Sequence, residues 1–164
     1  MREMPANQLN PKMKNVWRIS DSIWIVLAFL CCFVPVVIAA ALLPEERSWI
    51  LLVLLGELIV FGALVALFVI ILPPIRFARW RYEVSADYLD IAKGIIWRKR
   101  YIIPFIRVQN TDTKQGPILR AFGLASVTVS TAAGEHEIPG LAIEEAELLR
   151  DRAAELARLA REDV

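Results

Sequence analysis

The sequence predicts a two-helix transmembrane hairpin followed by a mainly-β domain closed by one C-terminal α-helix. Three observations lead there. Apolar residues make up 57% of the 164 positions, yet they gather in two unbroken blocks in the first half of the chain. After Pro73-Pro74 the pattern changes to short alternating runs separated by turn residues, the signature of strands. From Ile143 onward the period lengthens to that of an amphipathic helix.

The first block, residues 23–43, holds no charged residue, and the second, residues 49–72, holds only Glu57. Each is long enough as a helix to cross about 30 Å of hydrocarbon. The connector Pro44-Glu45-Glu46-Arg47-Ser48 leaves room only for a tight turn, so both ends of the hairpin share one side of the bilayer. Arg2, Lys12, Lys14 and Arg18 precede the hairpin and Arg76, Arg79 and Arg81 follow it, against Arg47 in the turn. The positive-inside rule then makes both termini cytoplasmic. Ala39-Ala40-Ala41 imitates a signal-cleavage site, but the apolar run is long for a signal core and a second span follows almost at once. The organisation expected is an N-terminal cytoplasmic segment over 1–22, a hairpin over 23–72, and a cytoplasmic domain over 75–164 that begins after Pro73-Pro74 ends the second helix.

Inside the hairpin, Cys31 and Cys32 are neighbours that diverge around a helix, so they suit neither a disulfide nor a metal site. Glu57 is costly at mid-membrane and calls for a partner. Pro35 leaves the carbonyl of Cys31 without its helical donor, and a protonated Glu57 is expected to donate to that neighbourhood. Trp17, Trp24, Trp49, Trp80 and Tyr82 read as anchors at the headgroup level.

In the following domain, Ala78, Trp80, Tyr82 and Val84 alternate with Phe77, Arg79, Arg81 and Glu83, and Ser85-Ala86-Asp87 reads as a turn. Lys93-Gly94 separates YLDIA from IIWRKRYII, both read as strands. RVQNTDT and LASVTVS follow, and a hairpin turn at Ala133-Gly134 leads into EHEIP. The last helix carries Leu149, Ala153, Leu156 and Ala160 on one stripe, with Glu144, Glu145 and Glu147 in its first turns, where the dipole favours anions. Six or seven short strands closed by one C-terminal helix is the layout of a pleckstrin-homology-like (PH-like) barrel.

The run IIPFIRVQNTDTKQGPILRAFGLASVTVSTAAG, preceded by two spans, resembles the bacterial PH domain of YdbS-like membrane proteins. The likeness runs from the first span to the final helix. It implies a bacterial cell membrane, a PH-like fold, and a larger membrane partner carrying repeated copies of the same domain, or self-association; such pairs are associated with tolerance of membrane-active antimicrobial peptides. The residues themselves allow two surfaces. Arg107, Gln109, Asn110, Gly116, Pro117, Arg120, Phe122 and Gly123 form a candidate partner site, in which Gly116-Pro117 makes a sharp turn and Arg120 and Phe122 share a face if extended. Gln109 and Asn110 are expected to satisfy backbone groups across that loop.

Residues 75–141 carry ten basic and six acidic side chains, whereas residues 142–164 carry four and seven. Arg76, Arg79, Arg81, Arg98 and Arg100 are therefore candidates for contact with anionic phospholipid, Arg79 with Arg81 on one strand face and Arg98 with Arg100 on another. Catalysis finds little support: His136 is the only histidine, no nucleophile motif accompanies it, and the seven glycines form no phosphate loop. No metal or other cofactor is implied, and a net charge of +1 without a stacking platform argues against nucleic acid. The function expected is a non-enzymatic, membrane-anchored interaction subunit at the cytoplasmic face of a bacterial inner membrane; the alternative is an anionic-phospholipid sensor or lipid-handling protein.

Overall fold

The computed structural model describes residues 4–43, 45 and 47–162. Pro44 and Glu46 of the expected tight turn, and Arg2 among the N-terminal cations, lie outside the described residues. Two compact units result: Trp17–Pro73 form one, and the described residues up to Val16 join those from Pro74 onward in the other.

Helix α1 (Met13–Leu42), which enters the first unit at Trp17, is followed by α2 (Arg47–Val65), a π-helical turn over Ala66–Ile71, and α3 (Leu72–Arg79), which passes into the second unit at Pro74. Two helical stretches, Met13–Leu42 and Ser48–Arg79, are long and apolar enough to cross a bilayer. Phe29 packs on Phe61 with ring centroids 4.4 Å apart and stacks on Phe33 at 4.9 Å, which sets an antiparallel register between the helices. Leu, Val and Ile side chains along both helices stay exposed, as does each of the two cysteines, the surface a hydrocarbon solvent favours.

Pro73-Pro74 does not end the second helix, which continues to Arg79. The reason is local. In α-helical phasing Pro73 would leave the Val69 carbonyl without a donor and crowd it. The chain widens instead into a π turn, where the Leu72 N–H donates to the Leu67 carbonyl, and the Arg18 Nε donates to the Val69 carbonyl at 3.2 Å.

The second unit is two three-stranded antiparallel sheets and a helix. Strands β1 (Arg81–Val84), β2 (Tyr88–Lys93) and β3 (Lys99–Pro104) pair in the order β1-β2-β3. A single 3-10 turn, Phe105–Arg107, leads to the second sheet, ordered β4-β5-β6, with β4 (Val108–Lys114), β5 (Leu124–Thr131) and β6 (Gly134–Ala142). A short helix α4 (Pro117–Ala121) joins β4 to β5, and α5 (Ile143–Glu162) closes the unit. The predicted PH-like layout of strands and one C-terminal helix is what forms.

Phe105, Val127, Ile138 and Leu141 are wholly buried at its centre, each hidden side chain stabilising the fold by roughly 1.5–3 kcal/mol. On α5 the buried residues are Ala146, Ala153 and Ala157, while Leu149, Leu156 and Ala160 are half-buried. The expected stripe is present but is centred on alanines, whose small side chains let the helix backbone approach the sheet closely. Tyr82 Oη donates to Glu145 Oε1 at 2.6 Å and ties β1 to the first turn of α5. Burial, reinforced by that acidic acceptor, pushes the phenol pKa well up.

Three strand expectations need correction. The first strand starts at Arg81, because residues 77–79 are still helical. Trp80 and Tyr82 are core residues, 7% and 3% exposed, and not interfacial anchors. Strand β5 is buried on both faces from Leu124 to Val129, so the alternation of LASVTVS separates one interior face from another.

The segment before α1 is part of this unit. Asn7 and Tyr82 exchange two backbone hydrogen bonds of 3.0 Å, and Leu9, Met13 and Val16 are buried. The Asn10 N–H donates to the Gly140 carbonyl at 3.0 Å. Gly140 sits at a register shift between β5 and β6 with φ +65°, and a Cβ there would collide with the Met13 side chain.

Candidate functional site

The eight residues read as a partner site fall into two groups at opposite ends of β4, about 20 Å apart at ~3.3 Å per residue. At one end Arg107 closes the 3-10 turn, and Gln109 and Asn110 follow in β4, all three exposed. At the other, Gly116, Pro117, Arg120, Phe122 and Gly123 belong to α4 and its flanks.

The α4 end is a folding element. Gly116 is the N-cap with φ −78°, so no positive φ is used there, and Pro117 opens the helix where its missing N–H costs nothing. Arg120 and Phe122 are not extended and share no strand face. The helix stops because the Phe122 N–H donates to the Leu119 carbonyl and the Gly123 N–H to that of Arg120, with Gly123 at φ +66°. Backbone satisfaction across this loop comes from Gln115, whose Nε2 donates to the Leu124 carbonyl at 2.9 Å. Gln109 and Asn110 lie too far along the strand to do it; Asn110 Nδ2 donates to Asp112 Oδ2 at 2.7 Å instead. Gln115 was legible as the first residue of Gln-Gly-Pro.

The Arg107 end borders a groove. Among the described residues β3 pairs in its sheet with β2 alone, whereas β4 pairs with β5 and has α5 beside it at residues 108–111. At the 3-10 turn, between the end of β3 and the β5–β6 turn, an open depression of about 470 Å³ is lined by Ile102, Ile106, Arg107, Gln109, Thr131 and His136 among others. Ile102 and Ile106 are each 45% exposed, an apolar floor beside a cation and an amide. His136 is half-buried, its ring 4.8 Å from that of Tyr101, and burial together with nearby Lys93 holds its pKa below the usual histidine value.

The five arginines read as lipid contacts also divide. Arg100 is committed inward, its Nε bonding both oxygens of Asp90 at 3.0 Å and its Nη2 reaching Oδ2 at 2.6 Å, with Asp90 only 2% exposed. That acceptor raises the Arg100 pKa further. Arg81 faces the Gln8 side-chain amide, whose oxygen, with the amide turned toward the guanidinium, accepts from Nη2 at 2.8 Å and Nη1 at 3.0 Å. Arg76 and Arg79 are in α3, so Arg79 and Arg81 do not share a strand face. Arg98 lies in the loop before β3, so it does not alternate with Arg100 along a strand either.

Glu57 is half-buried between the helices, and its Oε2 is buried without a hydrogen-bond partner among the described residues. Continuing the Phe29–Phe61 register brings it level with Phe33, about half a turn from Cys31. Pro35 lines a depression with Ile50 and Val53, so it is level with residues nearer the turn. The bond expected to the Cys31 carbonyl is not made by this oxygen.

Comparison with known proteins agrees with this architecture. Residues 22–157 match the family described as Bacterial PH domain. The chain is 42% identical over 166 residues to the UPF0699 transmembrane protein YdbS of Bacillus subtilis (strain 168), with all of both chains covered. No solved structure matches.

Proposed function

The chain belongs to the bacterial PH-domain family of YdbS-like membrane proteins, and from that premise we propose that it is a non-enzymatic interaction subunit, assembling with another membrane protein at the cytoplasmic face of a bacterial inner membrane. Both termini are cytoplasmic in this reading, and the two long helices are membrane spans. The observation that carries it is the open groove beside the outer edge of β3, lined by Ile102, Ile106, Arg107 and Gln109. Exposed strand edges add a partner strand through backbone hydrogen bonds, and side chains beside the edge select the partner. Here Ile102 and Ile106 supply apolar contact, while Arg107 and Gln109 supply polar contact in fixed register. A tolerance of envelope stress or of membrane-active peptides is the physiological setting that the family resemblance suggests.

The test is purification of the full chain from its native membrane into nanodiscs, with proteins identified by mass spectrometry. A stoichiometric membrane partner, or a second copy, should be recovered with the wild type and with Arg120→Ala, and lost with Ile106→Glu. A chain recovered alone, or a partner retained by Ile106→Glu and lost by Arg120→Ala, would overturn this assignment of the surface.

A further inference from the structure

The stretch Ile95-Ile96-Trp97 was read as the start of a strand, and it is a loop. Pairing between β2 and β3 ends at Lys93 opposite Lys99, which leaves residues 94–98 outside the sheet. Gly94 has φ +118°, and a Cβ on it would collide with the Trp97 carbonyl oxygen, so the loop folds tightly back on itself at a position only glycine fits. Ile96 is 85% exposed and Trp97 is 81% exposed. Beside this apolar tip is a small pocket of about 180 Å³ bordered by Arg79, Lys93, Arg98 and Lys99, with Met4 and Pro5 on its wall. Arg100 also borders it, with its charge answered by Asp90. Among the described residues, no carboxylate lines the pocket.

We propose that this loop is a lipid-docking element: Ile96 and Trp97 enter the interfacial layer of a bilayer while Arg79, Lys93, Arg98 and Lys99 bind the phosphate of an anionic phospholipid headgroup. Tryptophan has an apolar body and one N–H donor, which suits it to the boundary between acyl chains and headgroups. Four cations around one depression whose described lining holds no carboxylate complement a negatively charged surface. A soluble anion would use the pocket but has no need of the apolar tip. The tip and the pocket together specify a surface that is apolar just beneath a layer of negative charge. The chain is itself membrane-associated, so lipid is the binding partner present at the highest effective concentration. The element uses none of the residues of the β3–β4 groove and stands or falls separately from the docking there.

The test uses the full chain with Cys31→Ser and Cys32→Ser, spin-labelled through Ile96→Cys, in nanodiscs of phosphatidylcholine with and without phosphatidylglycerol. Power saturation compares access of oxygen, which concentrates in lipid, with that of a water-soluble nickel complex. With phosphatidylglycerol present, the oxygen-to-nickel access ratio at position 96 should rise several-fold, and a label at Ala132→Cys should remain nickel-accessible. Replacing Lys93, Arg98 and Lys99 by glutamine should abolish the rise, as should high salt. A label equally accessible to nickel in both discs would overturn the proposal. So would immersion that ignores lipid charge, or protection from both reagents, the mark of a protein contact.

Discussion

Strand β5 and the loop from Gly94 to Arg98 are both short stretches rich in apolar side chains, and they finish at opposite extremes of exposure. From Leu124 to Val129 every residue is buried, including Ser126 and Thr128, whose hydroxyls have no hydrogen-bond partner among the described residues. In the loop the Ile96 and Trp97 side chains stand in the open. Hydropathy does not separate the two. Strand β5 is the central strand of its sheet, with β4 on one side and β6 on the other, so even its polar residues are enclosed. The loop begins at a glycine turn and has lost its strand partners, so its apolar residues reach nothing to pack on. Apolar surface in β5 stabilises the fold; the same chemistry in the loop is left for an outside surface.

The comparison can be broken most forcefully at Leu124, buried to 1%. Leu124→Ala should cost about 2–5 kcal/mol, read as a lowered unfolding midpoint of the sheet signal in denaturant. A loss below ~1 kcal/mol would mean that β5 is not the packing centre. Thr128→Val keeps the shape and removes a buried hydroxyl without a partner, so stability should rise by about 1 kcal/mol. Loss of stability in that variant would show that the hydroxyl is bonded after all. Trp97→Ala should change stability by no more than ~0.5 kcal/mol, since an exposed side chain has little packing to lose; a larger loss would place the loop inside the fold. The smallest effect belongs to His136. Its folded pKa lies below the ordinary 6.5, so stability is complete above that value. It falls as pH drops through 6.5 toward the lowered value, where the unfolded chain takes up a proton that the folded one resists. Thermal melts across that window should show a shallow acid-side decline that His136→Phe removes.

The sequence made the two apolar helices plain, because a run such as 23–43 with no charge has few alternatives. Strands β4, β5 and β6 were also legible, since turn residues at Gln115-Gly116-Pro117 and Ala133-Gly134 delimit them. Pro73-Pro74 misled because its usual effect is cancelled by a π turn and by Arg18, a residue 51 positions from the Val69 carbonyl it satisfies. Trp80 and Tyr82 misled because an amphipathic ring suits both a headgroup layer and a core, and it is their burial, with the Glu145 acceptor on α5 for Tyr82, that decides. IIWRKRYII has strand propensity throughout, so the loop at its start emerges only from the β2–β3 register. The division of the partner-site residues between the two ends of β4 follows from the length of that strand. In contrast, Leu9, Met13 and Val16 recur at helical spacing and could have been read as buried positions.

The pairing of Asn7 with Tyr82 and of Asn10 with Gly140 makes one folded unit from two pieces of sequence, separated by both long helices. During synthesis the early piece leaves the ribosome well before its acceptor at Gly140 exists. Translation at ~5–20 residues per second makes that interval about 6–25 s. For that time Leu9, Met13 and Val16 lack the residues that later enclose them, while the two apolar helices are being made. In the proposed topology the unit can close only if the N-terminal piece stays on the side where the later strands emerge, so that topology would be checked by whether the domain can complete its core.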